Sequence, residues 1–298
     1  MQKFCCLEKP STWKRKLYLW NIYRLVKKLL RKKLNSCYYF NLKTEEDAMT
    51  RDSLLVVTIA FNNIQVLKFQ IELMKKNLTD PNYIYVIADN SPLPERQKAI
   101  QELCREHQLG YILLPKNSYL DKRSASYSHG AAVTWLYYNY ICLVKPRFFG
   151  FLDHDLYPVV PVCMADKLKN QPIYGFREFR EKVWYVWMGL LFFDFEWVKD
   201  KKVNFLPCKI NGLYLDTGGS NWYSIYSQIG VDEMSFPGRE RKPVYLNGVK
   251  HRDPVDYIDD CWLHTNNGSN WKNIADKDDL VECLIKDYAR LSDENICL

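Results

Sequence analysis

Two aspartates one residue apart close an apolar, aromatic run in the middle of this 298-residue chain, Arg147-Phe-Phe-Gly-Phe-Leu-Asp153-His154-Asp155-Leu156. A run of this kind reads as a buried strand that surfaces at a sheet edge. Residues i and i+2 of an extended chain point to the same side, so Asp153 and Asp155 can converge on one hard cation. Their oxygens suit Mg²⁺ or Mn²⁺, which is the minimum needed to hold a cation against a diphosphate. His154, between them, points to the opposite side, where a packed or hydrogen-bonded ring is expected. An isolated Asp-x-Asp also serves as a surface strand cap, so the rest of the chain must decide between the two readings.

The elements that would position these carboxylates alternate in type. Leu54–Ala60 reads as a buried strand, 64–76 as a helix, and 83–89 as a second strand ending in the carboxylate of Asp89. A helix over 94–107, a strand over 110–115 and a helix over 123–140 carry the alternation up to the Asp-His-Asp strand. Such a series predicts an α/β fold, a mostly parallel sheet with right-handed crossovers whose ligands sit at the carboxyl ends of the strands. Asp89 and Asp153 would both lie at that edge. After residue 156 the alternation is lost; strands are expected over 173–179 and 183–193, short helices near 194–202 and 218–228, and a closing helix over 276–291. There is no internal repeat and no low-complexity tract.

Composition bounds the function. With 47% hydrophobic and 15% aromatic residues the chain can bury a full core. Of the net charge of +7, residues 1–40 hold eleven Lys or Arg against the single acidic Glu8, which leaves the rest of the chain slightly acidic. That distribution argues against a nucleic-acid-coating surface. It divides the chain into a basic segment, 1–51, and an α/β domain, 52–298. Within the first, residues 13–34 fit an amphipathic helix, with Leu19, Ile22, Tyr23, Val26 and Leu30 on one side and Asn21, Arg24, Lys28 and Arg31 opposite. A helix of this composition either lies on an anionic membrane surface or docks on the protein's own core. Cys5 and Cys6 are candidates for acylation. The ten cysteines show no Cys-x-x-Cys pair, and the N-terminus has neither a signal-peptide core nor a membrane span, so the expected location is cytoplasmic, peripherally on the cytoplasmic face of a membrane.

Residues 52 to about 270 resemble GT-A glycosyltransferases, closest to the family-2-like nucleotide-sugar transferases. The resemblance rests on Thr58-Ile-Ala-Phe61-Asn62-Asn63 after the first strand, Asp89-Asn90-Ser91 after the second, the stretch Pro115-Lys116-Asn117-Ser118 through Ser124 to His129-Gly130, and the Asp-x-Asp strand. It implies that Phe61 and Asn62 line a nucleotide pocket, that Asp89 contacts the base, and that Asn117 and His129 lie near the diphosphate. Ser118 and His129 stand where the family often has Gly and Asn. Asp155 is implied as the chief metal ligand, Asp153 as a ligand that also lies near the ribose, and His264, in Cys261-Trp-Leu-His264-Thr, as the residue that completes the metal site. Imidazole tilts the cation toward Mn²⁺ over Mg²⁺. The segment Trp187-Met188-Gly189 and Leu215-Asp216-Thr217-Gly218-Gly219 resembles the acceptor side, with Asp216 at the position of a general base, although Leu215 replaces the usual Glu. By itself Asp216 is equally an Asp that caps a helix start. Trp184, Trp187 and Trp222 are candidates for stacking on sugars or for the core.

The resemblance therefore implies transfer of a sugar from a nucleoside diphosphate sugar to a cell-envelope or lipid-linked glycan, with inversion. Two alternatives stay open: a metal-dependent nucleotidyltransferase, for which no triphosphate-binding segment is evident, and a degenerate sugar- or membrane-binding module.

Overall fold

A computed structural model describes residues 39–42, 53–116, 125–246, 249–250, 254–265 and 281–283. The basic helix expected over 13–34, both candidate acylation sites, Asn117 and most of the expected closing helix lie outside the described residues.

The chain builds the α/β sheet that the alternation predicts. Its strands are β1 (Tyr39–Phe40), β2 (Leu54–Ala60), β3 (Ile84–Asp89), β4 (Gly110–Leu113), β5 (Phe148–Asp153), β7 (Ile173–Arg180) and β8 (Val183–Asp194), with β6 (Leu156–Pro158) leaving for a second sheet. The seven-stranded order is β1-β4-β3-β2-β5-β8-β7. The four middle strands run parallel, and β1, β8 and β7 add antiparallel edges. Every residue of β2 is buried because helices cover both faces. Leu55, Val57 and Ile59 meet one apolar cluster while Leu54, Val56 and Ala60 meet the other, as the two-residue period requires.

Helix α1 (Ile64–Asn77) and helix α2 (Pro94–Glu106) cover one face, and α3 (Ala125–Leu136) covers the other. The helix expected over 123–140 widens after Leu136 into a π-turn over Tyr137–Ile141. Short helices follow at α4 (Met164–Leu168) and α5 (Phe195–Val198); the helix expected near 218–228 is instead two 3₁₀ turns, Gly219–Asn221 and Tyr226–Gln228, started by Gly218 at φ +95°. That left-handed residue redirects the chain before a full α-turn can close.

Between residues 208 and 264 come β9 (Cys208–Ile210) and β10 (Leu213–Leu215), β11 (Arg239–Lys242), a small ladder of β12 (Tyr245–Leu246) with β13 (Val249–Lys250), and β14 (Val255–Ile258) and β15 (Trp262–His264). Strands β11, β14, β15 and β6 form a second, antiparallel sheet. Helix α1 lies between the two sheets. Leu67, Ile71 and Met74 face the large one, whereas Val66, Phe69 and Leu73 meet Tyr157, Val255, Tyr257 and Leu263 of the small one. A helix apolar on more than one side is what such a position demands.

One glycine in β5 sets how closely its neighbour can approach. A Cβ on Gly150 would lie 2.1 Å from the Phe192 ring on β8. Gly150→Ala is expected to lower stability by about 1–3 kcal/mol through overpacking, seen as a lower urea midpoint with an unchanged slope. An unchanged midpoint would show that the ring moves aside freely.

Candidate metal centre

Chain order does not suggest that His264 and Asp155 are neighbours; the second sheet makes them so. Strand β5 ends at Asp153, a tight turn holds His154 and Asp155, and β6 departs at Leu156. Strand β15 pairs antiparallel with β6 so that His264 lies opposite Leu156, and the Thr265 N–H donates to the Asp155 carbonyl at 3.0 Å. Ligand atoms of Asp153, Asp155 and His264 then lie within 4.8 Å of one another. His264 Nε2 is 3.5 Å from Asp155 Oδ1, and His264 Nδ1 is 3.9 Å from Asp256 Oδ2, supplied by the facing position on β14. Arg241 on β11 closes a two-toothed pair on Asp256, with Nε and Nη2 donating at 2.7 and 3.0 Å. The Trp187 ring packs against His264 with centroids 4.7 Å apart.

The electrostatics follow from three carboxylates around one imidazole. Burial alone would lower the pKa of His264, but Asp155, Asp256 and Asp153 outweigh it and push the ring up to about 9. Asp153 moves above the usual carboxylate range, chiefly through burial and further through Asp155, against the pull of His129. Asp256 is held well below that range, because the hydrogen bonds and charges of His264 and Arg241 overcome its burial. The arrangement concentrates negative charge at the carboxyl edge of the sheet.

These residues fit a divalent cation. Two hard carboxylate oxygens and one imidazole nitrogen converge, and the second nitrogen of that imidazole faces a carboxylate that is itself clamped by a guanidinium. Backing of this kind fixes the orientation of a ligating histidine. Asp256→Asn is accordingly expected to weaken Mn²⁺ binding about 10- to 100-fold, read from the free-ion signal in electron paramagnetic resonance. Unchanged affinity would separate Asp256 from the centre.

His154 behaves as expected of the intervening residue. Its Nδ1 accepts the Phe61 N–H at 3.2 Å, and burial holds the ring below the ordinary imidazole range, in its neutral form. The Asp-His-Asp turn is thereby tied to the segment after β2. Beside it, Asn62 sits at φ +58° and donates its N–H to Ser91 Oγ at 2.8 Å, while its side-chain Oδ1 is buried with no hydrogen-bond partner among the described residues. Asn63 caps α1 by accepting the Val66 N–H.

Asp89 is fully buried at the end of β3, and its two oxygens accept the Ser91 N–H at 2.8 Å and the Tyr111 hydroxyl at 3.1 Å. Burial raises its pKa. It thus organises the turn whose Ser91 holds Asn62. On the opposite face of the sheet, the first turns of α3 bring Ser128 to Asn90, which donates to it at 3.1 Å, and His129 to Asp153. His129 Nε2 stands 3.6 Å from Asp153 Oδ1 and, among the described residues, has no hydrogen-bond partner. It faces the acidic edge as a polar group still to be satisfied.

Asp216 lies near the N-terminal end of α3. Its Oδ1 accepts the Thr217 N–H at 2.7 Å, its carbonyl accepts the Gly219 N–H, and the Thr217 hydroxyl donates to the Ser126 carbonyl at 3.0 Å. The neighbouring Tyr185 is pushed up to about 12, mainly by burial and in part by the charge of Asp216, against Arg180. Of the three candidate tryptophans, Trp184 is core, packed on Tyr226 and Phe236, and Trp222 packs edge-on against it.

Sequence reasoning missed Asp256, Arg241 and Gln70. Asp256 had a signal, as a lone carboxylate within the strand-like run Val255-Asp-Tyr-Ile258, and Gln70 had another, as an amide on a helix stripe otherwise made of Leu67, Ile71 and Met74. Arg241 had none, being one of several cations in Arg239-Glu-Arg-Lys242.

No family model matches the chain, and neither does any curated protein. Among solved structures it is similar to TarS of S. aureus (14% identity, TM-score 0.35, over 51% of this chain and 30% of that one). It is also similar to the galactosyltransferase LgtC in complex with donor and acceptor sugar analogs (11%, 0.35, 49% and 59%). A third is the mannosyltransferase PcManGT from Pyrobaculum calidifontis in complex with GDP-Man and Mn²⁺ (12%, 0.36, 60% and 54%). The chain thus spans between about a third and three-fifths of the length of these structures.

Proposed function

We propose that this chain is a metal-dependent glycosyltransferase of the GT-A type. It would move a sugar from a nucleoside diphosphate donor to a cell-envelope or lipid-linked glycan, with inversion. The observation that carries the reading is the convergence of Asp153, Asp155 and His264 at the carboxyl edge of the parallel strands, with Asp256 and Arg241 behind the imidazole. That edge is where an open α/β sheet binds its ligands.

Asp153, Asp155 and His264 would hold Mn²⁺ or Mg²⁺. Bound there, a divalent cation offsets the charge that builds on a departing diphosphate. Phe61, Asn62 and the Asp89-organised turn line the nucleotide side, and Asp153 reaches toward the ribose; Asp89, expected at the base, is fully buried and acts through that turn. His129, with Nε2 unsatisfied beside Asp153, and Asn117 contact the diphosphate. Asp216 takes the proton of the acceptor hydroxyl as the donor bond breaks. Residues 13–34 carry the protein to an anionic, cytoplasmic membrane surface; no helix among the described residues is long and apolar enough to cross a membrane.

The test is a panel of nucleotide sugars screened by thermal shift in Mn²⁺ and in EDTA, followed by hydrolysis of the donor that binds. Cation-dependent stabilisation by one nucleoside diphosphate sugar and cation-dependent turnover are expected. Equal turnover in EDTA, or no response to any donor, would overturn the reading.

A further inference from the structure

The turn that presents Asp153 and Asp155 is gripped from inside the protein by one side chain. Gln70, on α1, is fully buried between the two sheets. Its Nε2 donates to the carbonyls of Asp153 and Leu156, each at 2.7 Å. Those two residues bracket the His154-Asp155 turn, so a single amide spans the start and end of the segment that carries both carboxylates. One side chain pins both ends.

The other half of that amide is held just as firmly. Gln70 Oε1 accepts the Thr58 hydroxyl and the Tyr85 hydroxyl, each at 2.9 Å, from the neighbouring strands β2 and β3. Burial raises the pKa of Tyr85, so its hydroxyl keeps its proton. All four hydrogen-bonding positions of the amide are therefore in use, two donors and two acceptor sites. Rotating it by half a turn would set the NH₂ group against hydroxyls and the oxygen against carbonyl oxygens, which fixes its orientation. Two helical turns further on, Asn77 repeats the device with a 2.7 Å donation to the Pro158 carbonyl on β6. Helix α1 thus grips this segment by polar contacts while its apolar faces pack on both sheets.

We propose that Gln70 is a positioning residue for the cation site. It sets the separation of the Asp153 and Asp155 carboxylates through the backbone and touches neither the cation nor the substrate. The inference rests on the reading of Asp153, Asp155 and His264 as a divalent-cation site. Its physical basis is that a turn with two free carbonyls at its ends can pucker, whereas carboxylates must stay within a few tenths of an ångström of their places to ligate together.

The experiment uses the full chain and Mn²⁺ alone, with free Mn²⁺ followed by electron paramagnetic resonance and melting temperature measured in EDTA. Gln70→Met keeps length and burial but removes both donations; a loss of Mn²⁺ affinity of about tenfold or more is expected. Met74→Ala, one turn along the same helix and with no hydrogen bond to the turn's carbonyls among the described residues, should lower the melting temperature while its Mn²⁺ affinity stays within about twofold of wild type, the spread of uncoupled changes. Wild-type affinity in Gln70→Met, or an equal loss in Met74→Ala, would overturn the positioning role. Should Gln70→Met not fold, the double variant Thr58→Val with Tyr85→Phe leaves the amide in place without its orienting hydroxyls. A loss of about threefold is expected there, that of a weakened outer hydrogen bond, and none would overturn the proposal. Absence of Mn²⁺ binding by the wild type is a different failure, because it removes the cation site and this inference with it.

Discussion

Asp155→Asn is expected to abolish cation-dependent turnover, by at least about a hundredfold, as removal of a principal stabiliser of developing charge does. The residue is buried, its Oδ1 faces His264 Nε2 at 3.5 Å, and its carbonyl is fixed by Thr265. The substitution therefore changes charge with little change in volume or backbone. His264 keeps Asp256 as a counter-ion, so no buried cation is stranded and the fold is expected to persist. The measurement is donor hydrolysis across a Mn²⁺ titration, beside melting temperature in EDTA. Full activity at saturating Mn²⁺ would show that Asp155 only tunes affinity; activity equal to wild type at every concentration would remove it from the centre.

The second large effect is expected at Asp216. Asp216→Asn keeps size and hydrogen bonding but cannot accept a proton, and loss of a general base costs about 10² to 10⁴ in rate, roughly 3 to 5 kcal/mol of barrier. Donor affinity should hardly change, since Asp216 is tied to Thr217 and lies beside Tyr185 and the N-terminal end of α3, on the acceptor side of the reading. Its local role, accepting the Thr217 N–H, survives in Asn, so the melting temperature should stay near wild type. Transfer rate, donor affinity and melting temperature measured together separate the two roles. Near-normal transfer, or a product that retains the donor's anomeric configuration by NMR, would remove Asp216 from the mechanism.

The same distinction between local and distant information governs what could be read from the chain. The parallel core was legible because its strands are short, continuous apolar runs between amphipathic helices, a signal carried by neighbouring residues. The boundaries of β2, α1 and α2 agree with that reading within about a residue, and the two-residue period alone places Asp153 on the face of Phe149 and Phe151, toward α3. The convergence of Asp153 and Asp155 was expected from an extended i, i+2 pair; instead the strand ends at Asp153 and the His154-Asp155 turn brings the second carboxylate beside the first.

What the tertiary structure decided lies beyond residue 156, with Gln70 on α1 as the exception. Whether His264 is a ligand or a core histidine depends on the register of β15 on β6, which no local pattern specifies. A one-residue slip would turn His264 to the other face of the second sheet. The same pairing selects Asp256 to back the imidazole, and the position of α1 between two sheets turns Gln70 from a polar break in an apolar helix stripe into a clamp on the acidic turn. Sequence alone determined the carboxylates and the sheet edge that presents them, because periodicity is a property of neighbours. The histidine, its backing pair and the amide were decided by long-range strand pairing and helix burial, because hydrogen bonds between residues some hundred positions apart exist only once both sheets have closed on α1.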